Sequence, residues 1–225
     1  MNHSQYGQDS FVNNYFNNKT NGYFVEVGAF DGKTFSNTFL LEKNGWKGIC
    51  IEPNPFCYDD IHKNRSCIID NNCISDGNHT IEFLASSICS SGINNENIVK
   101  LVKRNFERNL YNKKEAKKLI IKTKTLTQIL NNYNSPIDID YISIDVEGHE
   151  LSVLKGIDYN KYKIKLISVE MNSNKIIEYL KTNFNFVKKI KTDVFFENKI
   201  KKPLTFIEKY QNELRLFSKI NNLHI

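Results

Sequence analysis

Four short apolar runs constrain this chain more than any other feature. "GYFVEVGA" (22–29), "KGICIEP" (47–53), "IDYISIDVEG" (139–148) and "IKLISVEMN" (164–172) are nearly continuous in hydrophobic residues, and each leads into polar turn residues. A strand with one wet face alternates apolar and polar residues, whereas a strand apolar throughout is covered on both sides. Helical patterns separate the runs. Together they predict a mostly parallel sheet with helices on both faces.

The rest of the chain fills in that plan. A helix is expected from Ser36 to Asn44, closed by Gly45, and a short one over "CYDDIHKN" (57–64). "SCIIDNNCIS" (66–75) reads as a third strand and "TIEFLA" (80–85) as a short fourth. A basic helical segment comes next, then "TKTLTQILNNY" (123–133), a strand end running into a helix. "HELSVLKGI" (149–157) is a helix closed by Gly156, "NKIIEYLKTNF" (174–184) another, and "FVKKIKTDVFFENK" (186–199) a closing hairpin. An amphipathic helix is expected after Pro203. Repeats and linkers are absent, so 1–225 reads as one domain: a core over 4–198, a basic insertion or lid over 90–124, and a C-terminal helix over 203–225.

Composition excludes several classes. Apolar residues make up 40% and aromatic residues 12%, which fits a globular chain rather than a disordered one. Apolar runs fall far short of the roughly 20 residues of a membrane helix. The N-terminus lacks a signal-peptide layout. The five cysteines (Cys50, Cys57, Cys67, Cys73, Cys89) are odd in number and form no CxxC. They read as reduced thiols in the cytoplasm, and zinc-ligand spacing is missing. The net charge of +6 is local: 97–124 holds ten Lys/Arg and two acids, leaving −2 for the remainder. Ile98, Leu101, Val102, Phe106 and Leu110 are spaced as one helix face. The segment is either a helix with a solvated basic face or a rim that attracts an anionic acceptor.

Open sheets of this kind bind ligands beyond the carboxyl ends of their strands. At the first such end Gly28 permits a tight turn and Gly32 leaves room for a ligand. The dinucleotide pattern GxGxxG is broken by Phe30. Glu26 and Asp31 would repel phosphate and suit a cationic ligand. S-adenosylmethionine has that character: a sulfonium, an ammonium, a ribose and an adenine. Glu52 ends the second strand, 24 residues after Gly28, where an acid can hold ribose hydroxyls. Asp76 follows the third strand, within reach of an adenine amino group. Each acid alone reads as a solvated strand-end carboxylate; three at successive strand ends beside a glycine loop read as a nucleoside site.

The pieces "SQYGQD" (4–9), "EVGAFDG" (26–32), "FSNT" (35–38), "GWKGICIEPNP" (45–55), "CISD" (73–76) and "IDYISIDVEGHE" (139–150) resemble the FkbM family of S-adenosylmethionine-dependent methyltransferases. The resemblance covers Ser4 to about Asn198. It implies a Rossmann-like class I methyltransferase fold, with a seven-stranded sheet parallel except for one strand near the C-terminus. It also implies O-methylation of a sugar, glycan or related small molecule. The motifs place Ala29, Pro53 and Ser75 with Glu26, Gly28, Asp31, Gly32, Glu52 and Asp76 in the cofactor set.

Catalytic candidates cluster in "SIDVEGHE". A hydroxyl attacking a sulfonium methyl must lose its proton, and His149 is suited to take it near neutral pH. Asp145 or Glu147 would need a raised pKa to serve instead, and Asp145 also faces the cofactor. Alternatively Asp145, Glu170 and Asn172, at two adjacent strand ends, resemble an oxygen-ligand triad for Mg²⁺ or Mn²⁺. Gln8 and Asp9 either fold over the cofactor or follow a Ser4 helix cap. Asn37 and Thr38 start the first helix beside the cofactor carboxylate. Competing readings are an RNA ribose 2′-O-methyltransferase and a non-catalytic binding module. Amino-directed DNA methylation is disfavoured, since the chain has no Pro-Pro.

Overall fold

The structure is a computed structural model, and it describes residues 3–85, 91–92 and 117–199. Its main sheet is built from β1 (Tyr23–Val27), β2 (Lys47–Ile51), β3 (Ile68–Asp70), β8 (Asp138–Ile144), β9 (Lys163–Glu170), β10 (Phe184–Ile190) and β11 (Asp193–Asn198). The order is β10-β11-β9-β8-β1-β2-β3. Every pairing is parallel except those of β11 with β9 and β10, so one strand runs against the rest. The expected seven-stranded sheet is present, with its strand order reversing between β1 and β8.

Side chains alternate across β1 and sort the interior into two layers. Val25 and Val27 join Ile49, Ile51, Ile142 and Ile144 on one face. That face is covered by α4 (Leu126–Asn132), α5 (Glu150–Lys155) and α6 (Asn174–Leu180) through Leu126, Ile129, Val153, Leu154 and Ile176. Phe24 joins Cys50, Tyr141, Leu166 and Phe195 on the other. There α1 (Gln8–Tyr15), α2 (Phe39–Lys43) and α3 (Tyr58–Asn64) supply Val12, Leu41 and Ile61. Glu26 lies on this second face, an acid among apolar residues.

Three expectations need correction. The third strand is not continuous over 66–75. It stops at Asp70, whose Oδ1 accepts from both the backbone N and Nδ2 of Asn72, forming a local turn. The chain resumes as β4 (Cys73–Ile74) in a second sheet, order β4-β7-β5-β6, with β5 (Thr80–Ala85), β6 (Ser91–Gly92) and β7 (Lys117–Lys124). The end of the expected basic helix, 117–122, is therefore strand. Its "KKLIIK" pairs antiparallel with β5, where the β-branched residues fit a pleated surface better than a helix. Residues 97–116 and the helix expected after Pro203 lie outside the described residues. Finally, α2 starts at Phe39 rather than Ser36, because Ser36, Asn37 and Thr38 are engaged elsewhere. Among the described residues no helix is long and apolar enough to cross a membrane.

The turn from β7 into α4 is fixed by a reciprocal cap. Thr125 Oγ1 accepts from the Gln128 backbone N at 3.1 Å while Gln128 Oε1 accepts from the Thr125 N at 2.9 Å. Thr125→Ala removes half of this pair. It is expected to lower the unfolding free energy by about 1 kcal/mol, read as a shifted urea midpoint with unchanged slope. No shift would show that packing of Leu126 and Ile129 alone holds the helix.

Candidate active site

The first strand's acid does something the sequence did not reveal. Glu26 is 4% exposed and its carboxylate turns inward to gather the following loop. Its oxygens accept from Ser36 Oγ (2.9 and 3.0 Å), the Asn37 backbone N (2.9 Å) and Thr38 Oγ1 (2.7 Å). Arg65 Nη1 closes on it at 3.0 Å, and the Arg65 side chain is fully buried. The same guanidinium donates to the Gly32 carbonyl and to Thr38 Oγ1, pairs with Glu42 through Nε, and lies over the rings of Phe24 and Phe39. Arg65 was not among the residues expected to matter. Its only signal is a lone cation between a helix and a buried strand.

The loop so held wraps a cavity of about 410 Å³ at the carboxyl ends of β1, β2 and β8, where the strand order reverses. Gly28 is there for lack of room. With φ at +86°, a Cβ on it would lie 1.7 Å from the Asp145 carbonyl oxygen, so β1 and β8 approach closely only at a glycine. Phe30 and Phe35 also take positive φ, +48° and +59°. Phe30 is held by its backbone N donating to Glu52 Oε2 at 2.8 Å. Phe35 pairs through its backbone with Ser4. Strained backbone of this kind collects at functional sites.

Of the expected cofactor residues, Glu26, Gly28, Ala29, Asn37, Glu52, Pro53 and Asp145 line the cavity, as do the catalytic candidates Glu147 and His149. Gln8, Asp9, Asp31, Gly32, Thr38, Ser75 and Asp76 are not in its wall. The fully buried Asp9 braces the N-terminal segment, accepting from the backbone N of His3 and Ser4 and from Ser4 Oγ. Gln8 Nε2 donates to Asp193 Oδ2 at 2.8 Å. Asp31 accepts from the Lys33 and Thr34 backbone in its own turn. Ser75 Oγ lies 3.0 Å from His149 Nε2, and Asp76 contacts His79. The cavity also draws Phe30, Phe35, Ile74, Ile81, Phe83 and Val146 into its wall. Phe83 and Ile81 come from the second sheet, which sequence patterning did not separate from the first.

The wall is acidic, with Glu52, Asp145 and Glu147 beside Glu26, whose charge Arg65 already balances; among its described residues there is no Lys or Arg. Burial pushes the Glu52 carboxyl up to about 7. Its two oxygens accept from the backbone N of Phe30 and Asn54, which fixes its orientation. Burial also raises Asp145 well above the usual carboxylate range, reinforced by Glu170 and Glu147. Glu170 rises to about 7 for the same reasons, burial first and then Glu147 and Glu150. His149 is held below its ordinary value by burial, and so is neutral at pH 7. Asn37 donates from Nδ2 to Ser143 Oγ, while its buried Oδ1 has no partner among the described residues.

Of the metal triad expected at Asp145, Glu170 and Asn172, the two carboxylates come together with that of Glu150. Carboxylate oxygens of Asp145, Glu150 and Glu170 lie within 4.8 Å of one another. Asn172 Nδ2 donates to Glu150 Oε2.

The chain matches the family model described as the Methyltransferase FkbM domain over residues 26–195. Curated proteins yield no significant match. Among solved structures, the METTL16 MTase domain is similar at 14% identity and a TM-score of 0.43, covering 84% of this chain. This chain spans 65% of that domain's length. M. capricolum TrmK in complex with S-adenosyl-homocysteine is similar at 11% identity and a TM-score of 0.41, over 96% of this chain and 87% of that one. The human methyltransferase 10 domain containing protein follows at 11% identity and 0.39, over 84% and 78%.

Removing the buried cation tests the arrangement around Glu26. Arg65→Met keeps the stem and leaves two carboxylates without their counter-charge, expected to cost about 3–5 kcal/mol. Chemical denaturation reads this directly. A loss below about 1 kcal/mol would mean that Ser36, Thr38 and the Asn37 amide suffice.

Proposed function

The chain belongs to the FkbM methyltransferase family, and from that premise we propose that it transfers a methyl group from S-adenosylmethionine to a hydroxyl of a sugar, glycan or related small molecule. One observation carries the cofactor: the cavity at the strand reversal presents carboxylates and apolar side chains, and no described cation. Pyrophosphate cofactors require amide or cationic partners. A ligand with an ammonium, a sulfonium and ribose hydroxyls meets acids instead.

The residues divide the labour by chemistry. Bound S-adenosylmethionine supplies a methyl group on a positively charged sulfur. Glu52 accepts from the ribose hydroxyls with the lone pairs left by Phe30 and Asn54. Asp145, costly to ionise next to Glu147 and Glu170, is stabilised as a carboxylate when an ammonium faces it. The apolar wall of Ile74, Val146 and Phe83 excludes water from the planar base and the reacting centre. His149 enters the reaction neutral and so can take the acceptor hydroxyl's proton. Ser75 Oγ at 3.0 Å orients its ring.

A divalent cation is the alternative means of lowering the hydroxyl pKa. Three carboxylates are donors of the right kind for Mg²⁺ or Mn²⁺, and Asp145, Glu150 and Glu170 would hold it. Asn172 donates through Nδ2 to Glu150 Oε2 and so steadies one of these three carboxylates.

Two outcomes follow. Because Glu52 must be ionised to accept two hydroxyls and burial pushes its carboxyl up to about 7, a proton competes with the cofactor. The dissociation constant of S-adenosylhomocysteine is expected to fall as pH rises from 6 to 8, and Glu52→Ala to weaken binding and flatten that dependence, leaving only the share that Asp145 carries. A pH-independent wild type would remove Glu52 from the ribose contact. For the chemistry, His149→Ala is expected to lower kcat by about 10²–10⁴-fold with little change in cofactor affinity. Labelled methyl should enter a glycan pool rather than RNA, and full activity in EDTA favours His149 over a metal. Labelling of RNA alone would overturn the acceptor assignment.

A further inference from the structure

Beneath the Glu26 loop, two thiols meet. Cys50 Sγ and Cys67 Sγ are 3.5 Å apart, Cys50 on β2 and Cys67 just before β3, its neighbour in the sheet. They differ in burial: Cys50 is fully buried, whereas Cys67 is only partly so. Cys50 Sγ is also 3.7 Å from Glu26 Oε2. A thiol has one hydrogen, so Cys50 can direct it to Glu26 or to Cys67, not to both. We propose that Cys50 and Cys67 form a peroxide-reactive dithiol site, Cys67 being the sulfur attacked and Cys50 the one that resolves it into a disulfide.

The assignment of roles follows from geometry and charge. Cys67 is the less buried of the two, which favours it as the one a peroxide meets. The Cys50 thiol and the buried Arg65 cation favour the Cys67 thiolate, holding its pKa below the usual value, while burial pushes Cys50 up. In the first step the Cys67 thiolate attacks one oxygen of hydrogen peroxide. An S–O bond forms, the O–O bond breaks, and the departing hydroxide takes up the thiol's proton as water. In the second, Cys50 sulfur attacks Cys67 sulfur. The S–S bond forms, the S–O bond breaks, and the hydroxide leaves as water with the Cys50 proton. Two thiols and one peroxide thus give one disulfide and two waters, a two-electron oxidation of the sulfurs. The sulfurs need close only from 3.5 Å to about 2 Å. The product leaves Cys50 no hydrogen to offer Glu26, so the oxidation reaches the carboxylate that carries the cavity loop.

The test uses the full chain without ligand, so its result is independent of the cofactor assignment. Reduced protein is exposed to hydrogen peroxide, remaining thiols are alkylated, and peptides are mapped by mass spectrometry. The expected product is a Cys50–Cys67 cross-linked peptide pair, reversed by dithiothreitol. In Cys50→Ser the expected product is Cys67 sulfenic acid, trapped by dimedone. In Cys67→Ser, Cys50 is expected to stay a thiol. A cross-link of Cys67 to another cysteine, or alkylation of both sulfurs after peroxide treatment of the wild type, would overturn the proposal.

Discussion

The buried pair of Glu26 and Arg65 is the constraint on which the site depends. An ion pair in an apolar layer is not by itself a source of stability, because both charges lose their water. Here the desolvation is offset by a dense set of partners: hydroxyls of Ser36 and Thr38, the Asn37 amide, the Gly32 carbonyl, Glu42, and two aromatic faces. The pair fixes one conformation of the loop from Gly32 to Thr38. It ties β1 to the segment entering β3 and so sets the distance across which the cavity opens. Removing one partner leaves the others charged and buried, which makes the loop sensitive to a residue remote from any ligand.

Much of the fold was legible because the strands that build it are apolar on both faces. β1 and β2 fall within the runs that define them, β8 and β9 begin one residue before theirs, and the antiparallel final strand follows from the hairpin pattern. The sequence was least informative where side chains act on their own backbone. Asp70 ends β3 by bonding Asn72, which composition alone does not separate from a strand continuing to Ser75. Ser36 to Thr38 carry helix-start chemistry yet spend it on Glu26. The lysines of β7 suggested a helix, while Ile120, Ile121 and Thr123 favoured a strand.

The site was legible by position more than by role. The strand-end logic located Gly28, Glu52, Asp145 and His149, all of which line one cavity. The "SQYGQD" motif instead braces the N-terminal segment through Asp9 and reaches Asp193 through Gln8. Phe83 and Ile81 could not be read as cavity wall without knowing that β5 turns away into a second sheet. What unifies the cavity is its sign. Burial holds Glu52 and Asp145 above their ordinary values, with repulsion from Glu170 and Glu147 added at Asp145, and a cationic ligand relieves both.

That electrostatic claim is open to direct measurement by isothermal titration calorimetry of the reduced full chain at pH 8. Titrated in parallel, S-adenosylmethionine should bind at one site per chain, and NAD should give no heat of binding. Binding of NAD, or failure of S-adenosylmethionine to bind to folded protein, would contradict the account.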